Sequence, residues 1–144
     1  MMKRYFLQIL AAVTALFCLS GCHKDDVVNI STAEVGEWHL VEWNGTGPQN
    51  FDIYLELLSD GTFNLYQKLQ SADYSHFSGS YSLSGGYLDG VYDDGTAWTC
   101  RYSYSLNGSG DRLTLISCDD EAVQSIYERT DIPEDVRTGL FDRQ

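Results

Sequence analysis

Phe51-Asp52-Ile53-Tyr54-Leu55-Glu56-Leu57-Leu58-Ser59-Asp60-Gly61-Thr62-Phe63-Asn64-Leu65 alternates apolar and polar side chains on both sides of one short break. In an extended chain Phe51, Ile53, Leu55 and Leu57 fall on one face, and Asp52, Tyr54, Glu56 and Leu58 on the other. Ser59-Asp60-Gly61 is turn chemistry, because Gly tolerates positive φ and Asp accepts bonds from the backbone just after it. Phe63, Leu65 and Leu69 then resume the period of two. The stretch reads as a β-hairpin with a single apolar face.

The same pattern extends in both directions. Upstream, Glu37 to Trp43 forms a strand with Trp38 and Leu40 on one face, broken by Asn44-Gly45-Thr46-Gly47-Pro48. Downstream, Tyr74 to Ser84 places Phe77, Gly79, Tyr81 and Leu83 opposite a mostly serine face. Further strands are expected at Leu88 to Tyr92, Ala97 to Leu106, Arg112 to Cys118 and Val123 to Arg129, with Gly, Asn and Asp between them. Eight strands joined by about two to six residues leave no room for the crossovers a parallel sheet needs. A meander of this kind closes on itself or keeps two open edges, and closure removes the edges. The expectation is an all-β, eight-stranded antiparallel up-and-down barrel, with a β-sandwich as the alternative.

The first residues obey other rules. Met1-Met2-Lys3-Arg4 is basic, Tyr5 to Phe17 is apolar and too short for a stable membrane span, and Leu19-Ser20-Gly21-Cys22 ends the run on small residues before a cysteine. That order is a bacterial lipoprotein signal: cleavage before Cys22, which carries the lipid. Several acyl chains on one residue make attachment effectively permanent. The expected organisation is a signal peptide over 1–21, a lipidated tether over 22–34, a barrel over 35–130 and a C-terminal tail over 131–144. Ile132-Pro133-Glu134-Asp135-Val136 in that tail carries Pro where a helix would start.

After cleavage 123 residues remain, enough for one core. Nine Lys and Arg, less Lys3 and Arg4, stand against 21 Asp and Glu, a formal charge of −14. Such a surface repels phosphate backbones, so nucleic acid is not an expected partner.

Gly36-Glu37-Trp38 on the first strand, the eight-strand meander and a basic residue on the last strand resemble the lipocalin pattern. The likeness is greatest to small lipocalin-like lipoproteins of Bacteroidota. It runs through Gly61-Thr62-Phe63, Gly79-Ser80-Tyr81-Ser82-Leu83, Tyr92-Asp93-Asp94-Gly95-Thr96-Ala97-Trp98, Leu113-Thr114-Leu115 and Tyr127-Glu128-Arg129. The resemblance implies that Trp38 closes one barrel end with Arg129 packed over it, a structural pair. His23-Lys24-Asp25-Asp26 resembles the export tag of surface lipoproteins in the same bacteria. On that likeness Lys24, Asp25 and Asp26 would direct the protein to the outer face of the outer membrane, the alternatives being the periplasmic face and a plain solvated tether.

Catalytic constellations are missing from the pattern. There is no phosphate loop, no nucleophile elbow and no zinc spacing, and His39 and His76 lie on different strands without the carboxylate or cysteine spacing of a metal site. No enzyme activity, metal or cofactor is expected. Cys100 and Cys118 flank one hairpin. A five-residue loop at Asn107 to Asp111 would set them opposite each other for a disulfide, whereas the side-chain pattern places them on opposite faces.

The tyrosines and Trp98 offer ring faces and polar tips. Tyr81, Tyr92, Trp98, Tyr102 and Tyr104 are the candidate ligand pocket, with Phe63, Leu65 and Phe77 as its apolar wall. The alternative is that the same rings fill a solid core. Two functions follow: a barrel that holds a small apolar or amphipathic ligand, or a packed barrel that serves as a protein-interaction subunit of a cell-surface assembly.

Overall fold

The computed structural model describes residues 33–139. The signal peptide, Cys22, Lys24, Asp25 and Asp26, with the tether up to residue 32 and the tail beyond 139, lie outside the described residues.

Eight strands close into one antiparallel barrel in sequence order: β1 (Gly36–Trp43), β2 (Phe51–Leu57), β3 (Thr62–Leu69), β4 (Ser75–Ser84), β5 (Tyr87–Tyr92), β6 (Tyr102–Leu106), β7 (Arg112–Ser117) and β8 (Gln124–Arg129). Strand β1 pairs with both β2 and β8, which excludes the open sandwich. The quoted hairpin is in register, Leu55 opposite Leu65 and Leu57 opposite Phe63. Its turn and the one at Asp94-Gly95-Thr96 are built alike. Asp60 Oδ1 accepts from Thr62 N at 2.9 Å and Asp94 Oδ1 from Thr96 N at 2.8 Å, with φ of 86° at Gly61 and 87° at Gly95. At Asp60 the bond from the Thr62 hydroxyl at 2.6 Å leads and the backbone bond adds to it, and at Asp94 the Thr96 backbone bond leads; they favour the ionised form, so both carboxyls are held below the usual carboxylate range.

Two departures from strict alternation matter. In β1 the register shifts between Leu40 and Glu42, so that Trp38, Leu40 and Trp43 oppose Arg129, Tyr127 and Ser125. One extra residue thereby lets Trp43 face inward where a regular strand would turn Glu42 in. The second is a correction: β6 begins at Tyr102, not at Ala97. Residues 97–101 form a loop held by an isolated bridge between Val91 and Ala97 and by Trp98 N donating to Gly90 O at 2.9 Å. Trp98 still points inward, which is why it kept phase with the strand pattern.

The two ends of the barrel differ. One gathers the start of β1, the end of β8 and the β2–β3, β4–β5 and β6–β7 turns, and it is sealed. Trp38 is fully buried and its Nε1 donates to Glu34 O at 3.0 Å. The Arg129 guanidinium carbon lies 4.2 Å from the Trp38 ring centre. It donates to three carbonyls, Val35 O at 2.8 Å, Ala33 O at 2.7 Å and Gly110 O at 3.0 Å. Those bonds stitch the chain before β1 across the barrel floor. Leu40, Leu57, Phe63, Leu88 and Leu113 complete the core above it.

Residues 131–139, assigned above to the tail, return to the outer wall. A one-turn helix, α1 (Glu134–Thr138), follows Pro133, and Ile132 and Val136 bury against Tyr54 and Tyr66. Arg137 clamps it through Glu37 at 2.6 Å and Glu56 at 3.2 Å. Elsewhere on this wall, burial pushes the Tyr74 phenol upward, reinforced by its bond to Asp52.

Burial pushes two phenols inside the barrel up to about 12: Tyr127, and Tyr81 with Asp60 and Glu34 adding to the shift. Above the ordinary Tyr value of 10.0 the unfolded chain loses these protons while the folded chain keeps them. Their contribution is therefore complete below pH 10 and is lost as pH rises through about 12. Denaturation midpoints are expected to fall over that window, and tyrosinate absorbance to rise together with loss of the fold.

Candidate functional site

The other end gathers the β1–β2, β3–β4, β5–β6 and β7–β8 loops, and it is open. Strand register turns Phe51, Leu65, Leu69 and Phe77 inward here, with Leu65 opposite Phe77 and Phe51 opposite Leu69. Leu69 and Phe77 nonetheless remain 47% and 40% exposed, an unusual state for side chains pointing into a barrel. Across the mouth, Tyr92 and Tyr102 face inward from β5 and β6, and Trp98 enters from its loop.

Two glycines make this aromatic layer fit. A side chain on Gly90 would come within 2.3 Å of the Trp98 indole, and one on Gly79 within 2.1 Å of Val91 O and 2.9 Å of Phe63. The rings meet at steep angles, with Phe63 to Trp98 at 5.1 Å and 70°, Trp98 to Tyr102 at 6.2 Å and 70°, and Phe77 to Tyr92 at 6.1 Å and 64°. The Trp98 Nε1 hydrogen is buried without a partner among the described residues. Burial raises the Tyr102 phenol above the ordinary range, and its bond with Cys100 adds to the shift.

The eight candidate residues therefore divide. Phe63 and Tyr81 are buried in the core, and the Tyr81 hydroxyl is committed to Leu58 O at 2.7 Å, so neither belongs to an accessible pocket. Leu65, Phe77, Tyr92, Trp98 and Tyr102 come together at the mouth. Tyr104 is half-buried deeper in the barrel. Two concavities lie at the ends of the barrel. One of about 410 Å³ at the lip is lined by Asn50, Phe51, Asp52, Lys68, Gln70 and Ser71, and one of about 370 Å³ lies near Arg112 and Glu128 at the sealed end.

Cys100 and Cys118 are unbonded. Leu106 opposes Leu113 rather than Arg112, and this register puts the two cysteines on opposite faces of the hairpin. Cys100 turns in toward Ser117 Oγ at 3.3 Å, and Cys118 is exposed. Thiol titration of the polypeptide from His23 onward is expected to give one fast and one slow equivalent when folded, and two fast ones in denaturant.

His39 has a cross-strand carboxylate neighbour, with Nε2 2.6 Å from Asp52 Oδ1 and the ring stacked on Tyr54 at 4.3 Å. Diagonal neighbours on paired strands are far apart in sequence, here by 13 positions, so spacing along the chain does not reveal them. Tyr74 donates its hydroxyl to the same Asp52. The cluster sits on the outer wall. Among the described residues no group of three or more His, Cys, Asp or Glu could hold a metal ion.

Eight-stranded closed barrels either fill their interior with side chains or hold one small ligand; here side chains fill the core and apolar rings line the open end. Residues 35–128 match the lipocalin-like domain family, and the chain belongs to that family. The crystal structure of a lipocalin-like protein from Bacteroides uniformis ATCC 8492 is similar to it with a TM-score of 0.53 at 19% identity, over 68% of this chain and 99% of that one. No curated protein matches the sequence.

Proposed function

We propose that the chain is a lipid-anchored, surface-exposed lipoprotein whose lipocalin-like barrel binds a small apolar or amphipathic molecule at its open end, without catalysis. The observation that carries this reading is the exposure of Leu69 and Phe77, which register points into the lumen. Apolar surface left in water at an aromatic-lined mouth gains free energy when an apolar group covers it. Leu19-Ser20-Gly21-Cys22 supports the anchor, and Lys24, Asp25 and Asp26 support the outer-surface address. Ala33, eleven residues from Cys22, is held at the sealed end by Arg129, the end away from the mouth.

The test is native mass spectrometry of the protein gently purified from its own host. A ligand of defined mass, released on denaturation, is the expected result, and a ligand-free spectrum would contradict the reading. The second reading, a protein-interaction subunit of a surface assembly, is favoured by the solid core. It predicts that the same preparation retains a protein partner.

A further inference from the structure

The mouth is polarised. On one side Phe51, Leu65, Leu69 and Phe77 present hydrocarbon, beside a β1–β2 loop, residues 44–50, that carries no charge and a β3–β4 loop, residues 70–74, that carries one, Asp73. On the other side the rings of Tyr92, Trp98 and Tyr102 stand beneath two neighbouring loops, joined where Cys118 N donates to Arg101 O at 3.0 Å. Those loops carry Asp93, Asp94, Asp119, Asp120 and Glu121, all exposed, and no ion pair is recorded for any of them among the described residues.

The β5–β6 loop also carries Arg101, and the other cation at this end of the barrel is Lys68. Lys68 Nζ lies 5.7 Å from the centre of the Tyr74 ring on the outer wall, and the Arg101 guanidinium is stacked at 4.5 Å on Tyr87, which also faces outward. Strand register turns no Lys or Arg into the open half of the lumen. Ring faces attract cations through their quadrupole, and a wall of low dielectric strengthens the pull of nearby carboxylates.

Resting on the mouth as the binding site, we propose that its ligand is an amphipathic organic cation. The alkylammonium head lies between the aromatic rings and the acidic loops, and the hydrocarbon tail covers Leu69 and Phe77. The charge arrangement, more than the apolar area, sets the selectivity.

The experiment displaces a neutral apolar fluorophore, N-phenyl-1-naphthylamine, from the polypeptide beginning at His23, whose closed barrel carries its own core. The displacers are decyltrimethylammonium, decyl maltoside and decyl sulfate, each below its micelle concentration. The cation is expected to displace the probe at least tenfold more effectively than the sulfate, with the gap narrowing as salt is added. In the Asp119→Asn, Asp120→Asn, Glu121→Gln triple variant the preference for the cation over the maltoside is expected to fall at least threefold. Equal displacement by all three, or preference for the sulfate, overturns the cation proposal and leaves the mouth as an apolar site. A cation that adsorbs in many copies without displacing the probe overturns it too. A probe that does not bind at all overturns both readings.

Discussion

Gly79→Ala is expected to leave the chain largely unfolded at ambient temperature. In most strands this change is mildly stabilising, because Gly costs backbone entropy. Here the new methyl group would lie 2.1 Å from Val91 O and 2.8 Å from Tyr92 Cα, both backbone atoms of the paired strand β5. No rotamer change relieves a clash with backbone, so either β4 and β5 separate or the ladder that sets Gly79 opposite Tyr92 is lost. Overpacking against mobile side chains costs about 1–3 kcal/mol, and a rigid obstacle exceeds that range. A domain this size has about 5–15 kcal/mol in total. Urea denaturation followed by far-ultraviolet circular dichroism is the measurement. The neighbouring exposed Ser82→Ala is expected to behave as wild type, which separates a local clash from a general intolerance of strand β4.

Trp38→Ala is expected to cost about 4 kcal/mol, the middle of the range for deleting a large buried ring. Three losses coincide: the core contact of a fully buried indole, the bond to Glu34 O, and the surface on which Arg129 rests. Arg129→Met separates these contributions. It keeps the tryptophan but removes the bonds to Val35, Ala33 and Gly110, and it is expected to cost about 2 kcal/mol. Because both residues act on the same floor, the double variant is expected to be less destabilised than the two single changes combined. Guanidinium midpoints of the four proteins would show this directly, and strict additivity would argue against a coupled seal.

Much of this architecture is legible in the sequence wherever one strand face is buried and the other wet. Phe51 to Leu57 and Phe63 to Leu69 alternate because their inward residues fill the lumen, and turn chemistry at Asp60-Gly61 fixes their register. Legibility ends where the chain departs from alternation. The bulge in β1 leaves no signature beyond a Glu42 out of phase with Trp43, and Trp98 mimics a strand residue because its loop carries the indole inward.

The candidate site was legible in composition but less so in depth. Aromatic residues are frequent both in solid cores and at mouths, and only closure of the barrel shows that Phe63 and Tyr81 are buried while Phe77 is exposed. The pairing of His39 with Asp52 and the docking of Ile132 and Val136 on the outer wall depend on cross-strand neighbours, which period-two patterns do not encode.

The central claim, a binding mouth at the open end, is tested most directly by two-dimensional NMR of the polypeptide from His23 onward, titrated with N-phenyl-1-naphthylamine. The account predicts saturable shifts at Leu69, Phe77, Tyr92 and the Trp98 indole, with the outer-wall pair Tyr54 and Tyr66 and the sealed-end Arg112 unmoved. Shifts confined to the outer wall, or no shifts at the mouth, would contradict it.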